Sequence, residues 1–81
     1  MKARLDFREI PNTRRNNDVV YYIFSDIYNV GECIRGEDGE WHLIVTSADI
    51  KIHGRNRYDL FEKAQMLYDK FMEAHRGVRN E

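Results

Sequence analysis

A tight turn at residues 36–39, Gly-Glu-Asp-Gly, does most to limit the folds that this chain can adopt. Its Asp-Gly pair favours a hairpin, because glycine readily takes the positive φ that a short connection between antiparallel strands needs. β-Branched and aromatic residues are frequent on both sides of the turn, in residues 28–35 and 40–46. A glycine within the first run, Gly31, is typical of a β-bulge. The sequence therefore predicts an antiparallel hairpin in the middle of the chain.

Strands are also predicted on either side of this hairpin. Residues 3–10 alternate apolar and charged side chains, which is the period of a strand with one buried face. Pro11 is expected to end that strand, and residues 11–18 are polar and predict a loop. A short strand at residues 50–53 is expected after a turn at 47–49.

The segment 19–24 is open to two interpretations. Its β-branched and aromatic residues favour a strand. A helix after an Asp18 cap is the alternative, because the apolar positions also approximate helical spacing and so short a run does not separate the two periods. We expect the strand, followed by a kink near Ser25 and Asp26.

One helix is predicted at residues 60–76. Asp59 with Glu62 three residues later forms a capping-box-like start, and Gly77 suits a left-handed C-terminal stop, after which the tail is expected to fray. Its apolar stripe consists of Leu60, Ala64, Leu67, Phe71 and Ala74. The stripe has to cover another element.

These elements predict an α+β fold in a single domain spanning residues 1–81. We expect a small two-layer domain in which an antiparallel meander sheet of three to five strands carries one C-terminal helix packed on one face. A composition of 42% hydrophobic and 33% charged residues is that of a globular chain. A core this small is only marginally stable, so a homodimer is a further expectation to test.

Cytoplasmic localisation is expected from three features. The apolar run at 19–24 is far shorter than the roughly 20 residues of a membrane-spanning helix. Residues 1–9 lack the apolar stretch of a signal peptide. The single cysteine, Cys33, has no intramolecular disulfide partner, which suits a reducing compartment.

The sequence lacks the common catalytic and nucleotide-binding motifs. It contains no GxxxxGK[ST], GxGxxG, HExxH, paired CxxC or GxSxG pattern. Cys33, His42 and His53 lie on different predicted strands, and a nucleophile–base pair or a zinc site would need them to converge with a further partner. We interpret Cys33 as core packing and the histidines as half-exposed sheet residues, and expect no catalytic residue, metal or cofactor.

Exposed aromatic and acidic residues instead point to a protein-interaction module. Tyr21 and Tyr22 lie on opposite faces of their strand, so at least one should face away from the helix, where aromatic side chains anchor partners. The predicted partner-binding residues are Tyr21, Tyr22, Tyr28, Glu37, Asp38 and Glu40. The three acidic residues form the hairpin tip and could steer a basic partner. The small size and lack of motifs suggest an accessory or inhibitor protein encoded by a phage or other mobile element.

Binding to DNA is the alternative function. The segment 1–17 carries five basic and two acidic residues, and the candidate contacts are Arg14, Arg15, Arg55 and Arg57. A basic arm, an antiparallel sheet and a C-terminal helix resemble the arm-binding domains of tyrosine integrases and plant AP2 domains. That resemblance implies a sheet inserted into the major groove. The acidic hairpin tip departs from it, because negative charge opposes contact with phosphates.

Overall fold

The fold is a five-stranded antiparallel sheet with one helix across one face. A computed structural model describes residues 4–12 and 18–79. The elements are β1 (Leu5–Asn12), β2 (Asp18–Ser25), β3 (Tyr28–Arg35), β4 (Trp41–Val45), β5 (Ile50–Gly54) and α1 (Arg57–Arg79), with a short 3₁₀ turn at Thr46–Ala48 before β5. The strands lie in the order in which they occur along the chain, each antiparallel to the next. The predicted two-layer α+β meander is therefore confirmed.

The segment 19–24 is a strand, and the helical alternative is wrong. It lies within β2, which pairs with both β1 and β3. The expected kink after it is instead a complete chain reversal, because Ser25 pairs with Tyr28 across a two-residue loop. Asp26 has a φ of 61°, and aspartate tolerates this left-handed region better than most non-glycine residues.

Pro11 lies within β1 and does not end it, so the predicted boundary is wrong. β1 is an edge strand, and an edge strand leaves alternate backbone N–H groups without a strand partner. The Leu5 N–H donates to Gln65 Oε1 at 2.8 Å. Pro11 lies an even number of residues from Leu5 and has the same orientation, so its missing N–H removes no bond to β2. Ala3 and residues 13–17 of the predicted loop lie outside the described residues.

Glycine residues shape the central hairpin as the sequence predicts. Gly39 has a φ of 85°, and the turn closes with bonds from Gly36 N to Glu40 O (2.7 Å) and from Gly39 N to Gly36 O (3.1 Å). The β2–β3 register shifts beside Gly31, which confirms a bulge there. A Cβ atom on Gly31 would overlap the carbonyl oxygen of Ile44. Glycine therefore allows the backbones of β3 and β4 to approach closely at this point.

The helix is longer at both ends than the predicted 60–76. It begins after Asn56, whose Oδ1 accepts hydrogen bonds from the N–H groups of Tyr58 (2.9 Å) and Asp59 (3.4 Å). The prediction of Asp59 as the cap is therefore wrong, since Asp59 lies in the first turn. Gly77 lies inside α1 and does not stop it. Within the described ranges, no helix is both long and apolar enough to span a membrane.

Replacing the observed cap tests this assignment. Asn56→Ala should lower the free energy of unfolding by about 1 kcal/mol, because two N–H groups of the first turn lose their acceptor. Asp59→Ala should lower it by less, since Asp59 contributes through its charge near the helix N-terminus. Urea unfolding followed by circular dichroism compares the two variants. A greater loss for Asp59→Ala would contradict the assignment.

The core lies between α1 and the facing side of the sheet. Phe61 stacks on Phe7 with ring centroids 4.2 Å apart and meets Tyr21 edge-on at 4.9 Å. Farther along the helix, Tyr68 Oη donates to Ser25 Oγ at 3.1 Å. The buried residues are Leu5, Tyr21, Ile23, Cys33, Trp41, Leu43, Val45, Ala48, Ile50, Leu60, Ala64 and Tyr68. Every strand contributes to this layer. Because α1 packs on this face alone, it leaves the other face of the sheet uncovered.

Candidate functional site

The side of the sheet that faces away from α1 carries many apolar residues. The strand registers place two rows of side chains across it. One row is Arg8, Tyr22, Glu32, Ile44 and Lys51, and the other is Ile10, Val20, Ile34, His42 and His53. Phe24 lies beside the first row, with the guanidinium of Arg8 4.4 Å above its ring. We call these eleven residues the open face, because in the part of the chain that the structure describes no second layer packs on them.

Two residues of the open face are exposed although they are large and apolar. Tyr22 and Ile44 each keep 37% of their surface accessible. They belong to the same row and flank Glu32. An open depression lies next to Ile44, between the bulge at Val30 and the 3₁₀ turn. This part of the surface can receive an apolar side chain from a partner.

Tyr21 and Tyr22 point to opposite faces, as their positions in the sequence predict. Tyr21 is the inward residue, with only 5% of its surface exposed. Its Oη accepts a bond from Arg57 Nε (2.8 Å) and donates to Glu9 Oε1 (3.3 Å). Burial raises the pKa of Tyr21, an effect that Arg57 opposes. Tyr21 thus belongs to the core and to no accessible surface, whereas Tyr22 lies on the open face.

Tyr28 lies at the end of the sheet rather than at its centre. It is 67% exposed and follows Ile27, which is 76% exposed, at the β2–β3 turn. Both residues are therefore accessible to a partner. Tyr28 pairs with Ser25, whose hydroxyl accepts the Tyr68 bond on the helix side of the sheet, so the register does not place Tyr28 on the open face.

The acidic residues of the hairpin tip are held by neighbours. Asp38 Oδ1 accepts the backbone N–H of Glu40 at 2.9 Å, and Asp38 Oδ2 lies 3.5 Å from His42 Nε2. The N–H of Glu40, with a smaller contribution from His42, lowers the pKa of the Asp38 carboxyl group. Glu40 Oε1 lies 2.8 Å from His53 Nδ1. Glu37 is exposed beside them.

The structure brings His42 and His53 together but excludes Cys33 from them. The two imidazole rings are 5.6 Å apart between centroids, because the residues pair directly across β4 and β5. Cys33 is fully buried on the helix side of the sheet. Burial raises the pKa of its thiol to about 11, so at neutral pH it is protonated. A Cys–His nucleophile pair is thus not formed.

The four arginines proposed for DNA binding do not form one described surface. The Arg57 guanidinium lies 5.2 Å from the ring centroid of Trp41 and 4.6 Å from that of Tyr58, besides its bond to Tyr21. Arg57 therefore joins the start of α1 to the sheet. Arg55 is exposed. Arg14 and Arg15 lie outside the described residues, so the basic arm implied by the resemblance to DNA-binding domains lies there as well.

Ile44 is a candidate binding residue that the sequence analysis did not single out. The signal was available, since Ile44 alternates with buried residues of β4 and is itself large and apolar. Val20 and Ile34 carry the same signal in β2 and β3. Alternation alone does not show whether a second layer covers such a face.

Comparison with known protein families, curated proteins and solved structures finds no significant match. We therefore infer function from the geometry of the open face and the hairpin tip.

Proposed function

We propose that this chain is a small protein-binding module without catalytic activity, and that the open face and the acidic hairpin tip form its binding surface. The observation that carries the proposal is a pair of large apolar residues on the open face, Tyr22 and Ile44, which remain 37% exposed on either side of Glu32. Exposed apolar side chains bordered by charged residues are typical of interaction sites on folded domains. Aromatic residues such as Tyr22 are also enriched at interfaces.

The charge around this surface indicates which kind of protein would bind it. Glu37, Asp38 and Glu40 give one end of the sheet a negative potential, and the lowered pKa of Asp38 extends its negative charge to more acidic pH. A complementary protein would place apolar side chains over Tyr22 and Ile44 and lysine or arginine residues opposite the tip. Such charge pairing accelerates encounter and selects the partner.

A module of this kind would serve as an accessory or inhibitor protein encoded by a phage or another mobile element. It would act in the cytoplasm on a protein of the host cell, where it would cover a surface rather than carry out chemistry. A second copy of the chain is the competing occupant of the same apolar surface, as expected for a domain with a small core.

Affinity capture with matched variants tests the proposal. The immobilised full chain is exposed to an extract of its native host, and the affinity of each captured protein is then measured in purified form. Ile44→Lys should weaken binding about tenfold or more, because central apolar contacts dominate interface energy. Glu37→Lys combined with Asp38→Lys should weaken it in a salt-dependent manner. Met66→Lys, which replaces a 58% exposed apolar residue on α1, is the control and should bind as the wild type does.

Three outcomes would contradict the proposal. Equal binding by Ile44→Lys and the wild type would remove the open face from the interface. Salt-sensitive binding of a DNA duplex by the full chain, unaffected by Ile44→Lys, would favour the DNA-binding alternative. A concentration-dependent dimer that Ile44→Lys dissociates, with no captured protein, would assign the surface to self-association.

A further inference from the structure

We propose that Asp38, Glu40 and His42, with His53 beside them, form a binding site for a divalent transition metal of the zinc class at the hairpin end of the open face. This inference does not rest on the proposed function. The three ligands lie within five consecutive residues of the hairpin, and the β4–β5 register brings His53 beside His42.

The distances in this cluster suit a single ion. One ligand atom from each of Asp38, Glu40 and His42 lies within 4.8 Å of the other two. Asp38 Oδ2 and His42 Nε2 are 3.5 Å apart. Tetrahedral zinc with bonds of about 2.0–2.2 Å holds neighbouring ligand atoms roughly 3.3–3.6 Å apart. The three atoms are thus close to the spacing around one ion, and side-chain rotation at the exposed Asp38 and His42 can close the remaining gap.

The backbone holds the ligands near these positions. The N–H of Glu40 fixes Asp38 through Oδ1 and leaves Oδ2 directed toward His42. Gly36 supplies the room in which they meet, because a Cβ atom there would lie 2.9 Å from Asp38 Oδ1 and 3.1 Å from His42 Nε2. A Cβ atom at this position would meet only the ends of these two side chains, so Gly36 favours the arrangement but is not essential to it.

The donor set selects the class of metal. Imidazole nitrogen combined with carboxylate oxygen suits zinc and its neighbours, whereas calcium and magnesium prefer oxygen ligands alone. His53 Nδ1 lies 2.8 Å from Glu40 Oε1. His53 is therefore a positioning residue, which orients the Glu40 carboxylate as outer-shell partners orient metal ligands.

Calorimetric titration of the full chain with Zn²⁺ at pH 7.5, with imidazole NMR spectra in parallel, tests the site. The wild type should bind one ion, and the ring resonances of His42 should shift while those of His75 do not. His42→Gln and His53→Gln should each weaken binding about tenfold or more. His75→Gln, a substitution of the remaining histidine on the exposed surface of α1, is the matched control and should leave the affinity unchanged.

Several results would overturn the inference. These are the lack of any zinc response, an equal loss in His75→Gln, and calcium or magnesium binding as tight as zinc binding. Loss of the response in Cys33→Ala but not in His42→Gln would assign the metal to the thiol and reject the cluster. Circular dichroism of each variant checks that it is folded, above all for Cys33→Ala, which truncates a fully buried side chain.

Discussion

Gly31→Ala should lower the free energy of unfolding by about 3 kcal/mol or more, the largest effect we expect from a single added methyl group. The new Cβ would overlap the carbonyl oxygen of Ile44, which belongs to the backbone of the neighbouring strand. A backbone atom cannot rotate away as the end of a side chain does. The β3–β4 pairing would have to separate beside the bulge, and both strands carry core residues.

Thermal unfolding followed by circular dichroism measures this loss. For a domain of this size, 3 kcal/mol corresponds to a fall in Tm of roughly 12–24 °C. Gly54→Ala is the matched control in the same sheet. A Cβ atom there meets Leu60 Cδ2 at 3.4 Å, an ordinary van der Waals contact, so its Tm should change little. An unchanged Tm for Gly31→Ala would mean that β3 and β4 do not approach as closely as described.

Leu43→Ala should lower the free energy of unfolding by about 2–5 kcal/mol, whereas Ile44→Ala should lower it by less than about 1 kcal/mol. The two residues are neighbours in β4 and point to opposite faces. Leu43 is fully buried beneath α1, and its truncation leaves a cavity. Ile44 is partly in contact with water already, so its truncation removes less buried apolar surface.

Urea unfolding of both variants tests this difference between the faces. Equal losses would show that the open face is packed in the free protein, and Ile44 would then be a structural residue. The predicted inequality would show that the apolar character of Ile44 contributes little to the folded state. Urea unfolding of Ile44→Lys in the same series shows whether the variant used in the capture experiment is folded.

The strands were predictable because a strand that is buried on one face has alternating apolar and polar residues in its sequence. Trp41, Leu43 and Val45 alternate with exposed residues in β4, and the observed burial follows that alternation. The turn at 36–39 was predictable because glycine at Gly39 provides the positive φ. Where a left-handed residue is not glycine, as at Asp26, the sequence carries a weaker signal, and the reversal there was predicted only as a kink.

The helix ends were not predictable because several residues satisfied the same local rules. Asp59 with Glu62 fits a capping box, but Asn56 is an equally strong cap and begins the helix three residues earlier. Gly77 fits a C-terminal stop, yet glycine inside a helix costs only about 1 kcal/mol relative to alanine. Sequence preference at a helix end is therefore weaker than the contacts that extend it.

The candidate sites depend on long-range register, which the sequence determines only indirectly. His42 and His53 were identified separately, but their pairing requires the short connection between β4 and β5 to set the register. The inward direction of Tyr21 requires the helix to pack on one particular face. Arg57 was predicted as a candidate DNA contact, and its packing against Tyr21 and Trp41 was missed because those residues are distant in the sequence.

The most direct test of the central claim is a methyl NMR spectrum of isoleucine-labelled protein before and after addition of the captured partner. Ile10, Ile34 and Ile44 report on the open face, and Ile23, Ile50 and Ile52 report on the face covered by α1. We predict that the first three methyl signals shift or broaden and that the second three do not. Shifts confined to the second three, or to residues of α1, would contradict binding through the open face.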